Sequence, residues 1–146
     1  MKTEIYFYSG AADKLQVVCR LCAKALGQGA RVIVYASDSD KLDKLDKLLW
    51  TFQSTSFLPH CYIDDDDKLV NTTPIILSNR VVWEQGSDML INLHDQCPPG
   101  FDQFKRVIEI ADQSRADKPL ARERYRFYKQ GGYALHHHNL AESSVN

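Results

Sequence analysis

The sequence predicts an α/β protein: a single domain whose open, mostly parallel sheet is flanked by helices. Short runs rich in β-branched residues alternate with segments of helical period along most of the chain. Strands and helices that alternate at this spacing favour parallel strands joined by crossover helices. The length of 146 residues and the hydrophobic content of 44% are sufficient for one core.

The first half of the chain predicts two strands, each followed by an amphipathic helix. The second strand, RVIVY, shows little polar alternation, as expected of a strand that is covered on both faces. The first helix follows a turn at 9–13 and ends at a pair of nearby glycines, Gly27 and Gly29. In order, the elements are a strand over 4–8, a helix over 15–26, a strand over 31–35 and a helix from Ser37 or Asp38 through Trp50.

The second half of the chain predicts further strands before a charged helix. In order, these are strand candidates at 74–77, 81–83 and 89–93, a proline-glycine turn at 98–100, a short helical turn at 101–104, a last strand at 106–110 and a helix over 114–130. A double glycine then precedes a polar segment with three consecutive histidines. We therefore expect residues 1–130 to form the folded domain and residues 131–146 to be a flexible tail.

The helix over 114–130 carries the most informative pattern, with six Arg or Lys against two acids and three aromatics. At 100° per residue its cations share one quadrant with a tyrosine. Such a face suits a ligand with carboxylates and an apolar group, because arginine donates paired hydrogen bonds to carboxylate. It would also suit a nucleic-acid backbone, and a merely solvated face is the third interpretation. The residues are Lys118, Arg122, Tyr125, Arg126 and Lys129.

The charge of the chain is nearly balanced but unevenly distributed. A net charge of -1 and a pI near 6.5 argue against a protein coated in basic charge for general DNA binding. Residues 36–68 are acidic, whereas residues 105–130 are basic. No run approaches a membrane span, and the first ten residues lack the features of a signal peptide. We therefore expect a cytoplasmic protein.

The sequence predicts no cofactor and no metal site. A Rossmann-like sheet holds phosphate on a glycine-rich first turn, but here that turn has only Gly10, and neither G-x-G-x-x-G nor Gly-Lys-Ser/Thr occurs. The four aspartates at 64–67 are consecutive and point in alternate directions, which favours a solvated turn. The histidines at 136–138 are predicted to lie in the tail, without groups to orient them around a metal.

The cysteines are predicted to be core residues. Cys19 and Cys22 lie in an apolar segment of helical period, and free cysteine is often buried. A zinc site that joins them to His60 and Cys61 is the alternative, although the paired spacing of zinc ribbons is absent from the sequence.

An apolar segment after the second helix has two interpretations. Trp50 and Phe57 are core residues by periodicity, or Pro59 holds Phe57 and His60 on a stiff connection that forms a docking surface. No histidine has a serine or cysteine partner at the spacing of a known nucleophilic site.

Four segments, in this order and with similar gaps, resemble the chi subunit family of bacterial DNA polymerase III. They are LDKLLWTFQSTSFLPH at 45–60, DMLINL at 88–93, FKRVIEIAD at 104–112 and ARERYRFYKQGGY at 121–133. The pairing of the first with the last is specific to that family. The resemblance covers nearly the whole chain apart from the histidine-rich end.

The resemblance implies a non-catalytic adaptor with a fold like the nucleotide-binding domains of clamp loaders but without a working phosphate loop. Members pair one-to-one with the psi subunit, which tethers them to the clamp-loader complex. They also bind the acidic C-terminal tail of single-stranded DNA-binding protein, which ends in a phenylalanine carboxylate.

Residues carry over from the family's motifs to this chain. On the tail side, the resemblance assigns the carboxylate and upstream aspartates to Lys118, Arg122 and Arg126, with Lys129 on the same face, and the wall of the ring pocket to Tyr125. On the psi side, it assigns Trp50, Phe57, Pro59 and His60, a surface for which a repair helicase is a competing candidate. Two other classes stay open: a module that binds single-stranded nucleic acid directly, and a degenerate nucleotide-binding enzyme.

Overall fold

The computed structural model describes residues 3–52, 58–80 and 88–143, and within them seven strands form one parallel sheet in the order β3-β4-β2-β5-β6-β1-β7. The strands are β1 Glu4–Ala11, β2 Val32–Tyr35, β3 His60–Tyr62, β4 Ile75–Ser78, β5 Met89–Asn92, β6 Arg106–Asp112 and β7 Ala134–Asn139. The α/β class with a parallel sheet is therefore confirmed.

Helices connect the strands and cover the sheet. They are α1 Lys14–Gly27, α2 Ser39–Thr51, α3 Asp67–Thr72, α4 Asp117–Gln130 and α5 Leu140–Ser143, with a short 3-10 turn at Phe101–Gln103. In the part of the chain that the structure describes, none of these helices has the length and apolar character needed to cross a bilayer.

Aspartates begin the first three helices. The side chain of Asp13 accepts from the Leu15 amide at 3.0 Å, and Asp38 accepts from the Asp40 amide at 2.9 Å. Asp38, rather than Ser37, therefore caps α2. Asp66 caps α3 in the same way, so the acidic run expected to be only a solvated turn also starts a helix.

The core has two layers, one on each face of the sheet. The layer that includes α1 and α2 buries the predicted stripe of Leu42, Leu45 and Leu49. The other layer contains Tyr128 of α4, Phe101 and Phe104. Both layers draw alternate residues from the central strands, which explains why strand β2 is apolar throughout.

Cysteines lie in both layers. Cys19 and Cys22 are fully buried in the α1–α2 layer, which confirms that they are core residues, whereas Cys61 is buried in the other layer. Because the sheet separates them, these sulfurs do not converge, and the alternative zinc site is wrong. Burial also raises the pKa of the Cys19 thiol to about 11, which keeps it protonated and unreactive.

The end of the chain corrects two predictions. Residues 106–110 are not the last strand, and residues 134–139 are not a frayed tail, because strand β7 pairs with β1 from Glu4↔Ala134 to Ser9↔Asn139. The pairing partner lies about 130 residues earlier in the chain, so no local pattern reveals it. The strand candidate at 81–83 and Phe57 lie outside the described residues.

Candidate ligand-binding groove

Helix α4 is held against the sheet by a buried polar network. Glu109 of β6 is fully buried, and Arg124 of α4 is 2% exposed. Arg124 Nε donates to Glu109 Oε1 at 2.8 Å, and the Tyr128 hydroxyl donates to Glu109 Oε2 at 2.6 Å. Asn92 of β5 donates to the same oxygen at 2.9 Å. Because buried charge requires such partners, the network fixes which side of α4 faces the sheet.

Burial controls how this network titrates. It raises the pKa of the Glu109 carboxyl, while the charge of Arg124 and the donors on Tyr128 and Asn92 act in the opposite direction. Burial and the neighbouring Glu109 charge also raise the pKa of the Tyr128 hydroxyl. That hydroxyl therefore remains a hydrogen-bond donor throughout the ordinary pH range.

The adjacent side of α4, towards the β1–β7 edge of the sheet, borders an open groove of about 510 Å³. Three of the five residues predicted from the basic helix, Lys118, Arg122 and Tyr125, line this groove. Strands β1 and β7 supply the facing wall, which includes Phe7 and His137. We call this space, between α4 and the β1–β7 edge, the α4 groove.

Aromatic rings form the apolar wall of the α4 groove. The Tyr125 ring meets the Phe7 ring edge to face, with centroids 5.5 Å apart, and lies 6.4 Å from the His137 ring. Phe7 is 3% exposed and Tyr125 is partly buried, so the ring of Tyr125 has a rigid backing. His137 is held in turn by a 2.7 Å hydrogen bond between its Nε2 atom and Ser9 Oγ.

Two cations at the α4 groove form no ion pair with the described residues. Lys118 and Arg122 are exposed, and neither forms an ion pair with any described residue. Asp112 also lines the groove, but its Oδ1 accepts from the Ser114 amide at 2.8 Å. Although burial raises the pKa of Asp112, hydrogen bonds from Ser114 and nearby lysines lower it overall. The groove therefore offers donors to a further anion.

The other two predicted residues of the basic helix lie outside the α4 groove. Arg126 donates to Glu123 Oε1 at 2.9 Å on the solvent side of the helix, where both side chains are exposed. Lys129 is exposed in the last turn. These two side chains do not share the groove lining with Lys118 and Arg122.

Gly10 lines the α4 groove next to the C-terminal segment. Its φ of +72° favours glycine, and a Cβ there would come within 3.0 Å of the Ala141 Cβ atom. The single glycine of the first turn thus allows the C-terminal segment to approach β1. In nucleotide-binding proteins of this kind, the amino end of the first helix binds a phosphate. Here the carboxylate of Asp13 caps that end of α1.

The second predicted surface lies at the end of α2 and the start of β3. Trp50 is 51% exposed, so the interpretation of this residue as core is wrong. Its ring meets the His60 ring edge to face, with centroids 5.0 Å apart. The His60 side chain is 1% exposed, and its nitrogens lie 2.7 Å from Asp46 Oδ1 and 2.6 Å from the Leu58 carbonyl oxygen.

The His60 ring, held by these two contacts, therefore packs against the Trp50 ring. Pro59, the residue before His60, is half-buried. Of the four residues predicted for this surface, Trp50 is presented to solvent and His60 is not, while Phe57 lies outside the described residues.

Sequence reasoning missed the sheet side of the α4 groove. It places Phe7 only in a strand and His137 only in a tail. The alternation of β1 contains a signal for Phe7, since Ile5 and Phe7 fall on one face and Tyr6 and Tyr8 on the other. No such signal exists for His137, because residues 136–139 are a continuous polar run without alternation.

The parallel sheet and the cationic, ring-walled groove at its edge define an α/β protein with a groove suited to an anionic ligand that carries an apolar group. Comparison with known proteins identifies its family. The family model described as "DNA polymerase III chi subunit, HolC" matches residues 1–136, and the chain belongs to that family.

Curated relatives named DNA polymerase III subunit chi agree with this assignment. The protein from Pseudomonas aeruginosa is 33% identical over 142 residues, covering 94% of this chain and 97% of the relative. The Escherichia coli protein is 28% identical over 125 residues, covering 82% and 81%. The Haemophilus influenzae protein is 27% identical over 130 residues, covering 86% of each. By its family, the chain is thus a chi subunit of DNA polymerase III, a DNA replication protein.

The fold also resembles a protein outside this family. The C-terminal domain of Saccharomyces cerevisiae Dbp5 matches with a TM-score of 0.61 at 12% identity, covering 95% of this chain and 90% of that one. At this identity the likeness concerns the fold alone.

Proposed function

We propose that this chi subunit is a non-catalytic adaptor that links the clamp-loader complex, through psi, to the acidic C-terminal tail of single-stranded DNA-binding protein. The observation that carries the proposal is the α4 groove, where Lys118 and Arg122 stand beside a wall of rings. A peptide that ends in a phenylalanine carboxylate has the complementary parts, an anion and a flat apolar group.

In this proposal the tail makes two kinds of contact, charged contacts to its carboxylates and an aromatic contact to its terminal ring. Arg122 supplies paired donors to the terminal carboxylate, and Lys118 adds a point charge one helical turn earlier on α4. Tyr125, backed by Phe7, contacts the terminal ring of the tail. Arg126 and Lys129, which lie outside the groove, attract the upstream aspartates of the tail over a longer range.

Charge alone gives little affinity at this site. Exposed ion pairs contribute about 1 kcal/mol or less each, because water screens both partners. Burial of one aromatic side chain contributes about 1.5–3 kcal/mol. The ring and the terminal carboxylate must therefore act together, which makes the extreme end of the tail the determinant of binding.

The test is a titration of the full chain with a labelled acidic tail peptide that ends in phenylalanine. Arg122→Ala should weaken binding about tenfold or more, because the bound ring shields the contact between Arg122 and the terminal carboxylate from water, and removal of such a charge-assisted hydrogen bond costs about 1.5–3 kcal/mol. Arg20→Ala, which removes an equal charge from exposed α1, is the matched control and should leave the affinity within about twofold.

The same titration identifies the end of the peptide as the ligand. A peptide without its final phenylalanine, or with an amidated end, should bind far more weakly than the intact one. If Arg122→Ala and the amidated peptide both left the affinity unchanged, the α4 groove would not be the tail site.

Trp50 and the segment that follows it are our proposed contact for psi. The support is a half-exposed tryptophan whose ring is held by His60, which is itself fixed by Asp46. Exposed tryptophans with a rigid backing are frequent anchors of protein interfaces. Phe57 and Pro59 complete this surface in the proposal, and a repair helicase is a candidate competitor for it.

A further inference from the structure

The sheet edge that borders the α4 groove carries a second feature on its opposite face. Strand alternation directs His137 towards α4, while His136 and His138 lie on the α1 side next to two tyrosines of β1. The Tyr6 and His136 rings stack at 4.5 Å with an interplanar angle of 19°. The Tyr8 and His138 rings stack at 4.9 Å and 18°. We call these four side chains, of Tyr6, Tyr8, His136 and His138, the ring array.

The ring array is a flat surface that ends at solvent. Its two stacked pairs are register partners of β1 and β7, and the diagonal Tyr6 and His138 rings are also nearly parallel, at 6°. Because β7 is the last strand of the sheet, the outer faces of the histidines are directed to the open edge. His138 is exposed, and the His136 side chain is 42% exposed.

Cations lie beside the ring array. A groove of about 290 Å³ runs between Tyr6, Tyr8 and the carboxyl end of α1, and Lys24 and Arg106 line it. The Arg106 guanidinium lies 5.8 Å from the centre of the Tyr6 ring. Among the described residues, none that lines this groove is acidic, and none forms an ion pair with Lys24 or Arg106. Glu4, the register partner of Arg106 on β1, lies outside the groove lining and is hydrogen-bonded to His136 at 3.1 Å.

We infer that the ring array and its two cations form a binding site for single-stranded nucleic acid. Parallel rings at a solvent edge extend naturally by one more flat ring, and an unpaired base presents such a face to either histidine. Lys24 and Arg106, which form no ion pair with the described residues, are then placed for backbone phosphates. A duplex hides its base faces, so this surface favours a single strand. The site lies across the sheet from the α4 groove and does not depend on tail binding.

The experiment measures binding of a fluorescent oligothymidylate of about 15 nucleotides to the full chain by anisotropy at low salt. His138→Ala should weaken binding about tenfold, the effect of removing one base–ring stack. His138→Trp should restore it, because the flat ring is what the base contacts. His137→Ala is the matched control, since it removes the adjacent histidine from the opposite face and should leave oligothymidylate binding unchanged.

A second variant tests the cations separately from the rings. Lys24→Ala/Arg106→Ala should weaken binding and make it less dependent on salt, because each phosphate that is no longer neutralised lowers the log–log slope by about 0.7. Melting temperatures verify that each variant is folded. The acidic tail peptide should bind His138→Ala as it binds the parent chain, which separates this site from the proposed function.

Several results would overturn the inference. The first two are an absence of oligothymidylate binding at low salt and equal binding of a blunt duplex. The third is an equal weakening of oligothymidylate binding in His137→Ala and His138→Ala. The fourth is weaker oligothymidylate binding in Lys118→Ala/Arg122→Ala but not in Lys24→Ala/Arg106→Ala. The last result would assign the nucleic acid to the basic helix.

Discussion

At the scale of single residues, the basic helix contains cations with different roles that its sequence does not distinguish. Arg122 and Arg124 are two positions apart, yet Arg122 is exposed at the α4 groove and Arg124 is buried against Glu109. Periodicity places them on different faces, and that much was predictable. The partner of Arg124 was not, because Glu109 lies 15 residues earlier, on β6. One arginine is thus available to a ligand because another holds the helix.

The buried pair gives a prediction about stability. Glu109→Gln keeps the shape of the side chain but leaves Arg124 without a counter-charge where it is 2% exposed. Removal of one partner from a buried pair costs about 3–5 kcal/mol, so the free energy of unfolding in urea should fall by that order. A variant that does not fold is the limiting case of the same effect.

Glu123→Gln is the matched control for that measurement. It removes an equal charge from the exposed Arg126–Glu123 pair on the solvent side of the same helix. Exposed pairs contribute about 1 kcal/mol or less, so the free energy of unfolding should change little. Similar small decreases in both variants would mean that the buried network does not anchor α4.

At the scale of elements, the strands and helices that a local pattern defines were predictable, and the strand that depends on a distant partner was not. Helices α1 and α2 follow from period and caps, α4 from its period alone, and β2 from its apolar run. Strand β7 has three histidines after a double glycine, which is typical of a tail. It is a strand because β1 supplies both a ladder of backbone partners and rings for His136 and His138.

Strand β7 gives a prediction about hydrogen exchange. In a parallel edge strand, alternate amides bond to the neighbour and the others face solvent. Amides of 134–139 that bond to β1 should therefore exchange much more slowly than those of an unstructured peptide, as measured by NMR on the full chain. A synthetic peptide of residues 131–146 serves as the reference. Exchange at the rate of that peptide throughout 134–139 would restore the interpretation as a tail.

At the scale of the whole molecule, the order of strands separates the two proposed protein contacts. Trp50 and His60 lie near β3, and the α4 groove lies beside β1 and β7, at the other edge of a seven-stranded sheet. Six strand spacings of about 4.8 Å put these edges about 29 Å apart. An adaptor needs this arrangement, because two partners can bind at once only if neither covers the site of the other.

The separation predicts that the two contacts are energetically independent. Trp50→Ala removes a side chain that is 51% exposed, so it should weaken psi binding, by about tenfold or more for an anchor residue, with little change in stability. Its affinity for the tail peptide should stay within about twofold of the parent chain, because substitutions that share no partners rarely couple. Calorimetric titration of both ligands against Trp50→Ala, Arg122→Ala and the double variant measures this directly. Each single change should lower the affinity for one ligand only, and the double variant should show both losses. Weaker tail binding in Trp50→Ala would instead mean that the sheet transmits one binding event to the other edge.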